Sequence, residues 1–134
     1  MSDSPKILIA DDEQDCINFV REAIADMPYE VLGAMDGQEA LKVAREQRPQ
    51  LIILDVQMPK LDGFEVFAKL RADKKLASVP VIMLTAIAAR TGMKFSGKDM
   101  GEFMGSEPEA YVDKPIEPIV LKQTIARLLK QSRA

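Results

Sequence analysis

Side chains that can do chemistry follow four separate apolar segments of this sequence. They are Asp11 and Asp12, Asp55, Thr85 and Lys114. Carboxylates act as nucleophiles and bind hard cations, a hydroxyl donates hydrogen bonds, and an ammonium group neutralises phosphate. A single aspartate after a strand is more often a turn or helix-cap residue than a catalyst. The repetition of the pattern after four segments is what favours a common site.

The strongest of these segments covers residues 51–54 and leads directly into Asp55. Four apolar residues after the Pro49-Gln50 break are too few for a helix, so they predict a strand buried on both faces. Open α/β sheets bind their ligands beyond the carboxyl ends of the strands. Pro59 and the Asp62-Gly63 pair then predict a turn. We therefore expect Asp55 at a sheet edge and not inside the core.

The other apolar segments complete an alternation of strands and helices. Strands are predicted at residues 6–10, 29–35, 51–54, 79–86 and 110–113, and helices at residues 14–27, 38–47, 64–71 and from Pro118 onward. This order indicates a parallel sheet with helices on both faces, because parallel strands need crossover connections of about this length. The carboxyl ends of parallel strands share one edge, so the polar residues are expected to converge there.

Composition narrows the chemistry that such a site can perform. The chain has 134 residues, no histidine and a single cysteine, Cys16, which excludes imidazole bases, catalytic triads and an internal disulfide. The net charge is −3 and no basic cluster offsets it, so direct nucleic-acid binding is not expected.

No apolar run could span a membrane and no signal-peptide pattern is present, so we expect a cytoplasmic protein. Residues 1–134 should form one domain, with a folded core over about residues 5–131.

Four motifs resemble the receiver domain of two-component response regulators. They are Ile9-Ala10-Asp11-Asp12, Leu54-Asp55-Val56-Gln57-Met58-Pro59-Lys60-Leu61-Asp62-Gly63, Thr85-Ala86 and Tyr111-Val112-Asp113-Lys114-Pro115. They follow the family order over nearly the whole chain. The resemblance implies a flavodoxin-like fold, a doubly wound α/β sheet of five parallel strands in the order 2-1-3-4-5 that chemotaxis receivers share.

The resemblance also implies a role for each matched residue. Asp55 is expected to accept a phosphoryl group from a sensor histidine kinase or a histidine phosphotransfer protein. Asp11, Asp12, Asp55 and the backbone carbonyl of Gln57 are expected to hold Mg²⁺. Lys114 is expected to contact the phosphoryl oxygens. Without the metal, repulsion among the three acids should raise the proton affinity of at least one of them.

Two further matched residues are expected to transmit phosphorylation to a protein-interaction surface. Thr85 would donate its hydroxyl to the phosphoryl group, and Tyr111 would enter the space that this movement leaves. Tyr111 also suits the simpler interpretation of a strand residue that packs at the sheet edge. The family commonly has a cis peptide at the position of Lys114-Pro115, and the sequence leaves the isomer open.

Three residues close in sequence to the matched motifs are interpreted as structural. Glu13 is expected to cap the first helix in preference to binding the metal through water. Asp62 is assigned to a turn with Gly63 and not to the site. Cys16 is interpreted as a small helix residue without a redox role.

The connection after the fourth strand departs from the family pattern. Thr85 and Lys114 are 29 positions apart, and residues 88–105 include four glycines, each of which costs a helix about 1 kcal/mol. We predict an extended loop to Phe95, then a short helix ended by Gly105. Its apolar side chains either fold back onto the sheet or form an exposed partner patch. They are Met93, Phe95, Met100, Phe103 and Met104.

Three functions compete for this set of residues. We favour a phosphorylation-activated receiver that is not an enzyme beyond accepting and releasing its own phosphoryl group. The alternatives are a receiver-like module that binds partners without phosphorylation and a metal-dependent aspartyl phosphatase, which would require a second acid where Gln57 stands. The kinase, the downstream target, and a monomeric or weakly dimeric state are left open. So is the choice between a single-domain regulator and a piece of a longer protein.

Overall fold

The computed structural model describes residues 4–58, 62–85 and 108–132, which fold into a parallel five-stranded sheet covered by helices. The strands are β1 (Lys6–Ala10), β2 (Glu30–Ala34), β3 (Leu51–Asp55), β4 (Val81–Thr85) and β5 (Ala110–Asp113). The helices are α1 (Gln14–Ala23), α2 (Gly37–Gln47), α3 (Gly63–Ala72) and α4 (Pro118–Ser132). The spatial order of the strands is β2-β1-β3-β4-β5. This confirms the predicted doubly wound, flavodoxin-like α/β fold.

Both faces of the sheet are buried because its central strands are apolar at nearly every position. All five residues of β3 and of β4 are buried. Alternate side chains of the sheet pack on one face with α2 and α3, through residues such as Leu41 and Phe67. The other face packs with α1 and α4, through residues such as Ile17 and Leu121. Two apolar layers therefore fix the sheet, and its carboxyl edge remains for polar residues.

The register of the strands aligns their carboxyl ends. Ala10 pairs with Leu54, the residue before Asp55, and Asp55 pairs with Leu84. Thr85 in turn pairs with Asp113, the residue before Lys114. The polar residues at or just past the carboxyl ends of β1, β3, β4 and β5 therefore lie within one or two positions of a common line.

Hydrogen bonds that the Glu109 carboxylate accepts fix the start of β5 beside β4. Its Oε1 atom accepts from the backbone N–H of Val81 at 2.7 Å and from Arg71 at 2.6 Å. Arg71 also donates to the carbonyl of Val79 at 2.9 Å. Because β5 carries Tyr111 and delivers Lys114, this contact at the opposite edge contributes to the position of both.

Several predicted boundaries were wrong by a few residues. The helix predicted at residues 14–27 ends at Ala23, because Ala25 and Met27 donate to carbonyls three residues back in tight turns before Pro28. The strand predicted at 29–35 covers Glu30–Ala34, and β4 begins after Pro80, not at Val79. Residue 86 of the predicted fourth strand lies outside the described residues.

The helices α2 and α3 each begin one residue earlier than predicted, at a glycine. Asp36 and Asp62 are their N-caps and accept from Glu39 N at 2.8 Å and Glu65 N at 2.9 Å. Asp62 is therefore a helix cap rather than a simple turn residue.

The predicted insertion at residues 88–105, with its loop, short helix and apolar patch, lies outside the described residues, as does Pro59 of the predicted turn. Within the described residues, no helix has the length and apolar character that crossing a membrane requires.

Candidate functional site

Three carboxylates converge at the carboxyl edge of the sheet. Asp11 and Asp12 follow β1, and Asp55 is the last residue of the adjacent strand β3. One oxygen from each of the three lies within 4.8 Å of the others. Asp11 is fully buried, Asp55 is 7% exposed and Asp12 is exposed. The site is thus an acidic pocket with two buried walls and one side open to solvent.

Asp11 is held rigidly by its own hydrogen bonds. Its backbone N–H donates to the carbonyl of Ala34 at 3.0 Å, and its Oδ1 atom accepts from the backbone N–H of Glu13 at 2.9 Å. Burial, together with the interaction of the thiol with the same carboxylate, raises the pKa of Cys16 to about 12. Cys16 is therefore a neutral partner of Asp11, a contact that its helical position alone does not reveal.

The prediction that the Glu13 side chain caps the first helix was wrong. Glu13 occupies the N-cap position of α1, but its side chain makes no capping hydrogen bond. Its backbone N–H is instead bound to Asp11, and its carbonyl accepts from Cys16 N and Ile17 N. The turn after β1 is thus organised by the aspartate, which accepts from the residue two positions ahead as aspartates commonly do.

Lys114 places one positive charge between two of the acids. Its backbone N–H donates to the Thr85 carbonyl at 2.8 Å, which extends the β4–β5 pairing past Asp113. Its Nζ atom lies 2.9 Å from Asp11 Oδ2 and 3.5 Å from Asp55 Oδ1. Burial opposes the charge of Lys114, but the hydrogen bond to Asp11 and the charge of Asp55 outweigh burial, so the pKa of the lysine is raised. Lys114 therefore stays charged.

Asp55 has an unusual proton affinity for a carboxyl group. Burial and the neighbouring charge of Asp11 raise its pKa to about 6, against the lowering effects of Lys114 and of the backbone N–H of Gln57. This agrees with the expectation that clustered acids raise the proton affinity of at least one member. Among the residues that the structure describes, one lysine faces three carboxylates, so this part of the site has a surplus of negative charge.

The start of α3 fixes the main chain at Asp55. Gly63, the first residue of α3, donates its backbone N–H to the Val56 carbonyl at 2.9 Å. A Cβ at this position would overlap the carbonyl oxygen of Asp55 and would come within 3.0 Å of its carbonyl carbon. Only glycine fits this close approach of helix and strand. In the sequence, the Asp62-Gly63 pair indicated where this helix begins, because an N-cap residue such as aspartate precedes the first residue of a helix.

Thr85 and Tyr111 lie on the same face of neighbouring strands. Thr85 is 8% exposed and pairs with Asp113, whereas the half-buried Tyr111 pairs with Met83, two positions back along both strands. Two positions along a strand correspond to about 7 Å. Tyr111 packs against the core on the α2 and α3 side, and the Lys114-Pro115 peptide after β5 is cis.

The donor set of the acidic pocket fits a hard divalent cation. Mg²⁺ prefers oxygen ligands and binds proteins through one or two carboxylates while it keeps several waters. Asp11, Asp12 and Asp55 offer only oxygen, and the open side at Asp12 leaves room for water. A cation there would also offset the burial and the charge of Asp11 that together raise the pKa of Asp55. The residues present therefore suit Mg²⁺.

Known proteins are similar to this chain in sequence and in fold. The family model of the response regulator receiver domain matches residues 7–126. The alkaline phosphatase synthesis transcriptional regulatory protein PhoP of Bacillus subtilis is 36% identical over 129 residues, which cover 95% of this chain and 49% of that protein. The response regulator PleD of Caulobacter vibrioides is 33% identical over 127 residues, which cover 95% of this chain and 26% of that protein. The chemotaxis protein CheY4 of Vibrio cholerae superimposes with a TM-score of 0.78 at 32% identity, over 93% of this chain and 98% of that chain.

Proposed function

The chain belongs to the response regulator receiver domain family, and from this membership we propose that Asp55 accepts a phosphoryl group and thereby switches a protein-interaction surface. Receiver domains of two-component systems generally act as phosphorylation-activated switches. The single observation that supports the assignment to Asp55 is its place at the centre of the site, within reach of two other acids and of Lys114. The chain spans about half the length of PhoP, so its role inside a larger protein is also a proposal.

In the proposed reaction, an oxygen of Asp55 attacks the phosphorus of a phosphohistidine on a sensor histidine kinase or a phosphotransfer protein. The new O–P bond forms as the P–N bond to the donor imidazole breaks, and the imidazole nitrogen leaves with the electron pair. Lys114 Nζ lies 3.5 Å from Asp55 Oδ1, so it is close enough to neutralise charge on the transferred group. Its second contact, to Asp11, holds it there.

Asp11, Asp12, Asp55 and the backbone carbonyl of Gln57 would hold Mg²⁺. The ion, when bound, would neutralise charge on the carboxylates and on the phosphoryl oxygens. The protein's part is to keep Asp55 fixed, through β3 and Gly63, and ionised. Because its pKa is raised to about 6, Asp55 is less fully ionised near neutral pH than an ordinary carboxyl group, and a nearby cation would favour the ionised, nucleophilic form.

Thr85 and Tyr111 are proposed to transmit the modification. Thr85 is one position past Leu84, the residue that pairs with Asp55, so a phosphoryl group on Asp55 forms within reach of β4. A shift at Thr85 would extend along the same face to Tyr111, which lies at the exposed margin of the sheet on the outermost strand β5. The proposed output is therefore contact with a partner protein.

We further propose that residues 1–134 act as one domain in the cytoplasm, where kinase phosphodonors are available.

The proposal is tested by incubating the full chain with Mg²⁺ and acetyl phosphate and measuring the intact mass. We expect a gain of one phosphoryl group, which Asp55→Asn abolishes while Asp62→Asn, a matched change at a nearby aspartate, does not. Incorporation that persists in Asp55→Asn would refute the assignment. Absence of any mass gain in the wild type would favour a phosphorylation-independent module, and turnover of an added phosphoester would favour a phosphatase.

A further inference from the structure

A basic cavity lies at the end of the molecule opposite the acidic site. It has a volume of about 370 Å³, within the range of small-ligand pockets. The residues that line it are Arg45, Arg48, Asp73, Lys74, Lys75 and Leu76. They belong to the last turn and C-cap of α2 and to the segment after α3. Helices of this fold run antiparallel to the strands, so these ends lie at the amino edge of the sheet.

Hydrogen bonds fix the main chain that carries the cations of this cavity. Arg48 has a left-handed conformation, with φ of 50°, and its N–H donates to the Ala44 carbonyl at 3.1 Å. Asp73 Oδ1 accepts from the backbone N–H of Lys75 at 2.9 Å, which closes a tight turn. Leu76 is only 2% exposed and anchors that turn in the core. The main chain beneath the cavity is thus fixed by hydrogen bonds and by the buried Leu76, and exposed charged side chains extend from it.

The charges around the cavity do not cancel. Arg45 Nε is 3.7 Å from Asp73 Oδ2, whereas Arg48, Lys74 and Lys75 form no ion pair with any residue that the structure describes. Four cations face one carboxylate and the carboxyl ends of two helices, each of which carries about −0.5 of a charge. The surplus is about two positive charges. On a chain whose net charge is −3, helix dipoles alone do not explain this concentration.

We propose that this cavity binds an oligophosphate anion such as pyrophosphate. Guanidinium forks match phosphate oxygens in pairs, and lysines add point charges. The lining contains no aromatic side chain, so no platform is available on which a nucleobase would stack. The recognised chemistry is therefore the linked phosphates, whether they are free or part of a nucleotide. This inference does not depend on phosphorylation at Asp55.

The test is calorimetric titration of the full chain with pyrophosphate at low ionic strength. EDTA is present, so that no metal recruits the anion to the acidic site. We expect saturable binding that weakens about two- to fivefold in Lys75→Gln and in Arg48→Asn, and about tenfold in the double variant. Asparagine keeps the left-handed backbone at position 48. Asp73→Asn should strengthen binding by a similar factor, because it removes the opposing carboxylate.

The control is Arg127→Gln, an exposed cation on α4 at the other face of the sheet. Its affinity for pyrophosphate should equal that of the wild type, and ADP should bind no more tightly than pyrophosphate. Absence of saturable binding, equal weakening in Arg127→Gln, or weaker binding in Asp73→Asn would each refute the site. Markedly tighter binding of ADP would refute the oligophosphate assignment, since it would show recognition of the nucleoside.

Discussion

Gly63 lies directly against the main chain of Asp55. A side chain at position 63 would overlap the Asp55 carbonyl oxygen and would approach the Asp55 carbonyl carbon and the Val56 Cα to 3.0 Å. The obstructing atoms are backbone, which has no rotamer through which to move away. The first residue of α3 therefore fixes how closely the helix approaches the strand that carries the proposed phosphoacceptor.

We expect Gly63→Ala to destabilise the protein by about 1–3 kcal/mol, because overpacking against fixed backbone costs about this much. Helix propensity alone would predict the opposite sign, since alanine is favoured over glycine by about 1 kcal/mol. The measurement is urea unfolding, together with Mg²⁺ affinity, which should fall as Asp55 is displaced. Gly33→Ala is the matched control, because its Cβ would meet mainly the Ile17 side chain at 3.3 Å. An equal loss in both variants would contradict the steric explanation.

Asp55 should make the stability of the metal-free protein depend on pH. Its pKa in the folded protein is about 6, above the ordinary 3.8, so the folded state holds the proton more tightly than the unfolded chain. The resulting stabilisation is complete below about pH 4 and is lost as the pH rises through 6. Asp55→Asn lacks this titration. In EDTA at pH 7 it should therefore be more stable than the wild type, by up to about 3 kcal/mol.

Unfolding in urea at a series of pH values from 4 to 7 measures this difference. Near pH 4 the two proteins should have similar stability, and the gap should open towards pH 7. Added Mg²⁺ at pH 7 should close most of the gap by stabilising the wild type, in which Asp55 is a proposed ligand. A gap that stays constant over this range would show that Asp55 titrates normally.

Lys114→Met should destabilise the metal-free protein by about 1–3 kcal/mol, because the buried carboxylate of Asp11 loses a hydrogen-bond donor. The control is Lys122→Met, which removes an ion pair to Asp26 that is shorter, at 2.7 Å, but exposed. Little change is expected there, because solvent screens exposed pairs. The measurement is the unfolding free energy of both variants in EDTA, and comparable losses would contradict the dependence on burial.

Mg²⁺ should stabilise Lys114→Met by more than it stabilises the wild type, since the ion then supplies the countercharge that Lys114 no longer gives to Asp11 and Asp55. The same variant should nevertheless incorporate phosphate poorly, because the ion does not replace a contact to the phosphoryl oxygens. Normal phosphorylation in this variant would remove Lys114 from the proposed reaction.

Tyr111 offers a direct optical report on the proposed switch. The chain has no tryptophan and two tyrosines, so Tyr29→Phe leaves Tyr111 as the one fluorescent side chain of its kind. Adding beryllofluoride, a phosphoryl mimic, with Mg²⁺ should change its fluorescence. Thr85→Ala should bind the mimic, as seen by calorimetry, but lose the optical change. A response that survives Thr85→Ala would mean that Thr85 does not transmit the modification.

The sequence by itself determined where the buried strands lie and which polar residues stand at their carboxyl ends. Runs of apolar residues at positions 6–10 and 51–54 are too short and too continuous for anything but buried strands. Parallel strands bring their carboxyl ends to one edge, so Asp11, Asp12, Asp55, Thr85 and Lys114 were expected to converge there, and the order of the strands was implied by the resemblance to receiver domains. Hydrophobic periodicity is a local property of the chain, so it can be recognised without knowledge of any tertiary contact.

Only the tertiary structure decided which atoms meet at that edge. The Lys114 contact to Asp11 spans 103 positions of sequence. The interaction of Cys16 with Asp11 and the clash that Gly63 avoids depend on how a helix packs against a strand. The end of α1 at Ala23 and the unused side chain of Glu13 were likewise settled by competing backbone hydrogen bonds. Such contacts depend on distances of a fraction of an ångström, which packing sets and residue type alone does not.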